Sequence, residues 1–90
     1  MKQRETFESL EILFPELSPK QLEISTLYAL GTPHETIAKT CNVSTETVRT
    51  YLKRSIKALK LEGHDGLRTT ILLRSFIHAI NKGTVANSRW

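Results

Sequence analysis

The residues best equipped for chemistry lie between Ser44 and Lys60, where five basic side chains stand against one acidic side chain. Val48, Leu52, Ile56 and Leu59 recur at spacings of four, four and three, and no Gly or Pro interrupts them, so residues 45–60 read as an amphipathic helix. Ser44 is a good N-cap for it. The apolar stripe leaves Thr45, Glu46, Arg49, Thr50, Lys53, Arg54 and Lys57 on the outer face. Guanidinium, hydroxyl and ammonium groups on one helix face are the donors that bond base edges and phosphate oxygens. The chain carries 13 Lys and Arg against 9 Asp and Glu, a formal charge of +4. Residues 1–17 hold two basic and four acidic groups, so the positive charge is concentrated rather than spread. A concentrated basic segment suits a polyanionic partner.

Other chemistries find little support. The lone cysteine, Cys41, excludes an intrachain disulfide and a multi-cysteine zinc site, and His34, His64 and His78 share no helix-face spacing. We expect no metal and no cofactor. Cys41 reads as a small core residue, because no neighbouring basic cluster argues for a reactive thiolate. An enzyme is not expected, since no nucleophile, paired acid or phosphate loop has a usable arrangement. Glu5, Glu8 and Glu11 interrupt any apolar run behind Lys2 and Arg4, so neither a signal peptide nor a membrane span is expected. The expected location is cytoplasmic and nucleoid-associated.

The elements that must position the basic helix are all helical. Phe7, Leu10 and Phe14 fall at helical spacing with Leu13 beside them, which predicts a short amphipathic helix that Pro15 stops. Ser18, Pro19 and Gln21 predict the next start by N-cap, first-turn proline and capping box, and Gly31 predicts its end. Leu22, Ile24, Leu27 and Tyr28 should face inward. Thr32, Pro33 and Glu35 repeat the start signal for a helix to Cys41, with Ile37 and Ala38 inward and Thr32 as cap. Asn42 and Val43 then separate it from Ser44. Asp65 should cap a last helix over 66–81 that Lys82 and Gly83 close, and His34, His64 and His78 read as cap, turn and surface residues. The expected fold is all-α: an N-terminal amphipathic helix (1–16), a four-helix helix-turn-helix domain (17–81) and a flexible tail (82–90) ending in Trp90. A short helix, a tight turn and a Ser-capped basic helix are the parts that major-groove reading needs.

The stretch Leu17 to Leu61 resembles the LuxR/GerE type of bacterial helix-turn-helix domain. The resemblance rests on Leu17-Ser18-Pro19, Gly31, Ile37-Ala38 and Ser44-Thr45-Glu46-Thr47-Val48. It implies base contacts from Arg49, Thr50 and Lys53 and phosphate contacts from Thr47 and Lys57. Tyr51 stands where the family often has His, and reads either as a sugar-phosphate contact or as packing. In that family a fourth helix pairs subunits. Residues 66–81 carry Leu67, Ile71, Leu72, Leu73, Phe76, Ile77, Ala79 and Ile80 over more than one face, more apolar surface than packing on a small three-helix core requires. Leu72, Leu73, Phe76, Ile77 and Ile80 are therefore the expected dimer interface, with cover from the N-terminal helix as the equal alternative.

Together these features point to a DNA-binding transcriptional regulator of double-stranded DNA, acting as a homodimer, as a heterodimer with a larger regulator, or in contact with RNA polymerase. Two other readings stand beside it. One is the promoter-binding domain of a sigma factor, whose recognition helix has a similar opening. The other is an adaptor or antagonist that keeps the fold but binds protein rather than DNA, a reading supported by Glu35 and Glu46 where the resembled family commonly has basic residues.

Overall fold

The computed structural model describes residues 10–81, which hold four complete helices and no strand. They are α1 (Pro19–Ala29), α2 (His34–Cys41), α3 (Thr45–Ala58) and α4 (His64–Ala79). Helix α1 is the hub and packs against each of the others, while α3 also packs on α2 and α4. The all-α expectation holds. Residues 1–9 and 82–90 are not among those described, so Phe7, most of the expected first helix, the closing Lys82 and Gly83, the 82–90 tail and Trp90 fall outside this account.

Ser18 caps α1 as its neighbours suggested. The Gln21 amide donates to Ser18 Oγ at 3.2 Å, and the Ser18 amide donates back to Gln21 Oε1 at 2.7 Å, closing the capping box with Pro19 in the first turn. Ser44 does the same for α3, accepting the Thr47 amide at 3.0 Å. The other two starts differ from expectation. Pro33, not Thr32, is the N-cap of α2 and no side chain caps that helix; Thr32 lies in the turn that ends α1, its amide donating to Leu27 O at 3.1 Å. Helix α4 begins at His64 after an extended Gly63, so Asp65 sits inside the first turn, where its charge complements the helix dipole, instead of capping. Leu67 and Ile71 on this helix lie wholly in the core.

Three helices end in the same way. Paired backbone bonds from Gly31 to Tyr28 and Thr32 to Leu27 close α1, with Gly31 at φ +94°. Asn42 to Lys39 and Val43 to Ala38 close α2 with Asn42 at φ 58°, and Lys60 to Lys57 and Leu61 to Ile56 close α3 with Lys60 at φ 59°. Each is a Schellman turn built on one left-handed residue. Helix α3 is therefore two residues shorter than the 45–60 expected.

The core joins Phe14, Leu22, Ile24, Ile37, Val48, Leu52, Leu67 and Ile71, all nearly inaccessible to solvent. Each large aliphatic side chain so buried stabilises the fold by roughly 1.5–3 kcal/mol. Ile24 and Leu22 face inward as expected, whereas Leu27 and Tyr28 are only half-buried and Ser25 and Thr26 take interior places beside them. Both hydroxyls lack a hydrogen-bond partner. In α3 the third inward position belongs to Ser55, whose hydroxyl donates to Tyr51 O at 2.9 Å, while Ile56 and Leu59 are half-buried. Ahead of α1, Phe14 and Leu17 enter the core, with Leu10 and Leu13 packed against it. Arg74 of α4 fastens this segment. Its Nη1 donates to Leu13 O at 2.8 Å and to Glu16 Oε1 at 3.1 Å, its Nη2 donates to Glu16 Oε2 at 3.2 Å, and its guanidinium lies 4.9 Å from the Phe14 ring.

Two outcomes follow. A Cβ on Gly31 would meet no atom within 4 Å, so Gly31→Ala carries only left-handed backbone strain and should lower stability by about 1–2 kcal/mol. Lys60→Gly relieves the same strain against a smaller entropic loss, for a net gain of about 0.5 kcal/mol. Urea midpoints at constant slope measure both, and a shift of the two variants in the same direction would contradict the account. The Glu16 carboxyl is held below its ordinary value of 4.5, chiefly by the Arg74 hydrogen bonds. Its contribution is complete above that value and is lost as pH falls through the lower folded value. Wild type and Glu16→Gln should therefore differ by less than about 1 kcal/mol at neutral pH, because the pair is solvent-screened. The difference should close on acidification, and a gap that widens in acid would rule out this role.

Candidate nucleic-acid interface

Helices α2 and α3 meet through a two-residue turn, Val43 and Ser44, that follows the left-handed Asn42. Burying Ile37, Ala38 and Cys41 from α2 with Val48 and Leu52 from α3 fixes the crossing of the pair. Cys41 is enclosed there, and burial pushes its thiol up, with the Glu23 charge adding to the effect. It is a packing residue in this position. The outer half of α3 is then free of the core.

Arg49, Lys53 and Lys57 lie along one exposed line of α3, at spacings of four, with Glu46, Thr50 and Arg54 exposed beside them. Thr45 and Thr47 are half-buried. Thr47 Oγ1 accepts from Ser44 Oγ at 2.9 Å and Thr50 Oγ1 donates to Glu46 O at 3.1 Å, so each hydroxyl already has a local partner and retains lone pairs for another. Tyr51 is half-buried against the core. Glu35 and Glu46 both occupy the first turn of a helix, where a carboxylate complements the dipole. That placement gives each a structural reason to be acidic.

The N-terminal end of α3 borders an open groove lined by Tyr28, Thr32, Pro33, His34, Glu35, Thr45 and Arg49. Tyr28 is its least expected member. Its ring lies 6.0 Å from His34 and 5.8 Å, edge-on, from His64, and the Arg68 guanidinium sits 4.6 Å above it. Sequence reading placed Tyr28 in the core and these histidines in a cap and a turn. The cluster draws on α1, α2 and α4, and no spacing along the chain relates residues on three helices.

The expected dimer residues lie on the far half of α4. Leu72, Leu73, Phe76 and Ile77 are 41%, 53%, 63% and 48% exposed, while Ile80 is half-buried. Arg74 ties residues 13–16 to the opposite flank of α4, and the four side chains remain open to solvent.

Among the described residues no group of His, Cys, Asp and Glu is placed to hold a metal ion, and no helix is long and apolar enough to cross a membrane. Residues 7–59 match the family described as Sigma-70, region 4. No curated protein and no solved structure matches the chain.

Proposed function

The chain belongs to the Sigma-70, region 4 family, a helix-turn-helix DNA-binding family, and from that premise we propose that it is a transcription factor that reads promoter DNA with α3. The observation that carries the reading is the exposed line of Arg49, Lys53 and Lys57 on the helix that follows the α2–α3 turn. Arg49, Thr50 and Lys53, on the N-terminal half, read bases. Lys57 and Arg54, further along, hold phosphates, with Thr45, Thr47 and Tyr51 beside the backbone and Glu46 selecting against mismatched edges. Such a protein works in the cytoplasm at the nucleoid and needs no cofactor. In this reading residues 17–81 are the DNA-binding domain.

The family match favours the promoter-binding role over the LuxR type, and pairing through α4 now rests on its own observation. The stripe Leu72, Leu73, Phe76 and Ile77 carries no charge, so pairing two copies there brings no like-charged side chains of the stripe face to face. These side chains offer roughly 400 Å² per chain, or about 800 Å² in a symmetric pair, below the ~1,200 Å² of firm interfaces. The proposed homodimer is therefore weak.

Selection of a binding site from random DNA, followed by isotherms on the selected and scrambled duplexes at several salt concentrations, tests the reading. Arg49→Ala should cost about 1–3 kcal/mol on the selected duplex and much less on the scrambled one. Lys57→Ala should weaken both alike and reduce the salt slope by about one. Equal losses for Arg49→Ala would make it a phosphate clamp, and no binding even at low salt would hand the function to the protein-adaptor reading. Sedimentation should show a monomer–dimer equilibrium at tens of micromolar that Phe76→Asp abolishes. A wild-type monomer throughout that range would assign the stripe to another protein, RNA polymerase or a larger regulator.

A further inference from the structure

The cluster around Tyr28 is not part of α3, yet it shares a groove with it. Tyr28 and His34 line that groove together with Thr45 and Arg49, and the Arg68 guanidinium sits over the Tyr28 ring. We infer that Arg68, with His34 and His64, is a second DNA contact, directed at a backbone phosphate beside the base pairs that α3 reads. The inference rests on the DNA-binding reading above.

The chemistry of the cluster fits a phosphate. A guanidinium stacked on an aromatic face is held in plane while its N–H edges stay available, and a planar donor fork suits phosphate oxygens. Arg68 has this arrangement, and its side chain is 41% exposed. Asp65, the nearest acid, lies 4.0 Å away and is fully exposed, too distant for a hydrogen bond that would occupy the fork. Exposed His64 and half-buried His34 flank the same ring with further N–H donors. Packing alone would not require three nitrogen-bearing side chains from two helices to gather at an open rim. The position also decides what the patch contacts. Through Tyr28 and His34 it joins the groove that Thr45 and Arg49 of α3 also line, so with α3 in the major groove we assign the patch to the bordering strand and not to the base edges.

A phosphate contact positions the protein without carrying sequence, so its loss weakens all DNA equally. Arg68→Gln keeps a planar group over Tyr28 and removes the charge. It should weaken the selected and the scrambled duplex by the same factor, about three- to tenfold near 0.1 M salt, and lower the salt slope by about one. Asp65→Asn removes the facing acid and should tighten both duplexes two- to threefold, a gain that partial unfolding cannot produce. If Arg68→Gln leaves affinity and slope unchanged while Arg49→Ala still abolishes discrimination, the patch is packing only and the inference fails alone. If Arg68→Gln affects only the selected duplex, Arg68 reads a base and the phosphate assignment fails. If the wild type binds neither duplex, the inference falls together with the DNA-binding reading.

Discussion

A short chain that must bury a core from four helices has no residues to spend on long connections, and each reversal has to occur within a few residues. The left-handed residue at the end of a helix meets that constraint. Gly31, Asn42 and Lys60 each let the departing chain satisfy two orphan carbonyls and turn at once. The order of residue types carries a gradient of strain, since Gly adopts this backbone freely, Asn tolerates it and Lys does not. Asn42 has the largest consequence. It sets the direction in which Val43 and Ser44 leave α2, and so the angle at which α3 presents Arg49.

With the turns fixed, division of labour on α3 follows from a single stripe. Val48, Leu52 and Ser55 face the core, which turns the exposed line of Arg49, Lys53 and Lys57 away from it. Ser55 is fully buried, and its hydroxyl is satisfied by the preceding turn. Ser25 and Thr26 differ, being interior with no partner, a cost of about 1–3 kcal/mol for each group. The packed side chains around α1 must offset that loss.

Most of the fold was legible because its signals are local. Ser18 with Gln21, and Ser44 three residues before Thr47, are caps that depend on nothing beyond one helical turn. Signals failed where two elements competed for one residue. Thr32 has the composition of an N-cap, but it is the second residue of the turn that closes α1, one position too early to cap α2, and the local pattern alone does not decide to which element it belongs. Asp65 failed for a related reason, since the extended Gly63 ahead of it takes the N-cap position and leaves Asp65 inside the first turn. The basic line on α3 was legible for the reason the caps were, periodicity within one helix. The Tyr28 cluster was not, because its members are brought together only by the packing of α1, α2 and α4.

Helix α4 shows how that packing shapes the surface. Its two arginines are both drawn onto aromatic rings supplied by the N-terminal half of the chain, Arg68 onto Tyr28 and Arg74 onto Phe14. Six residues apart, they fasten α4 at both ends to α1 and the segment before it. The attachment removes cations from the outer side of the helix, so Leu72, Leu73, Phe76 and Ile77 form a face without charge in a basic protein. Arg74 is also joined to Glu16, which leaves its charge compensated, whereas the acid nearest Arg68 among the described residues, Asp65, is 4.0 Å away and exposed. One end of α4 is therefore electrostatically quiet and apolar, and the other stays positive over Tyr28, a residue of the groove that Arg49 also lines. A helix divided in this way can hold a protein partner on its far half while its near half remains against DNA, because the two surfaces do not overlap.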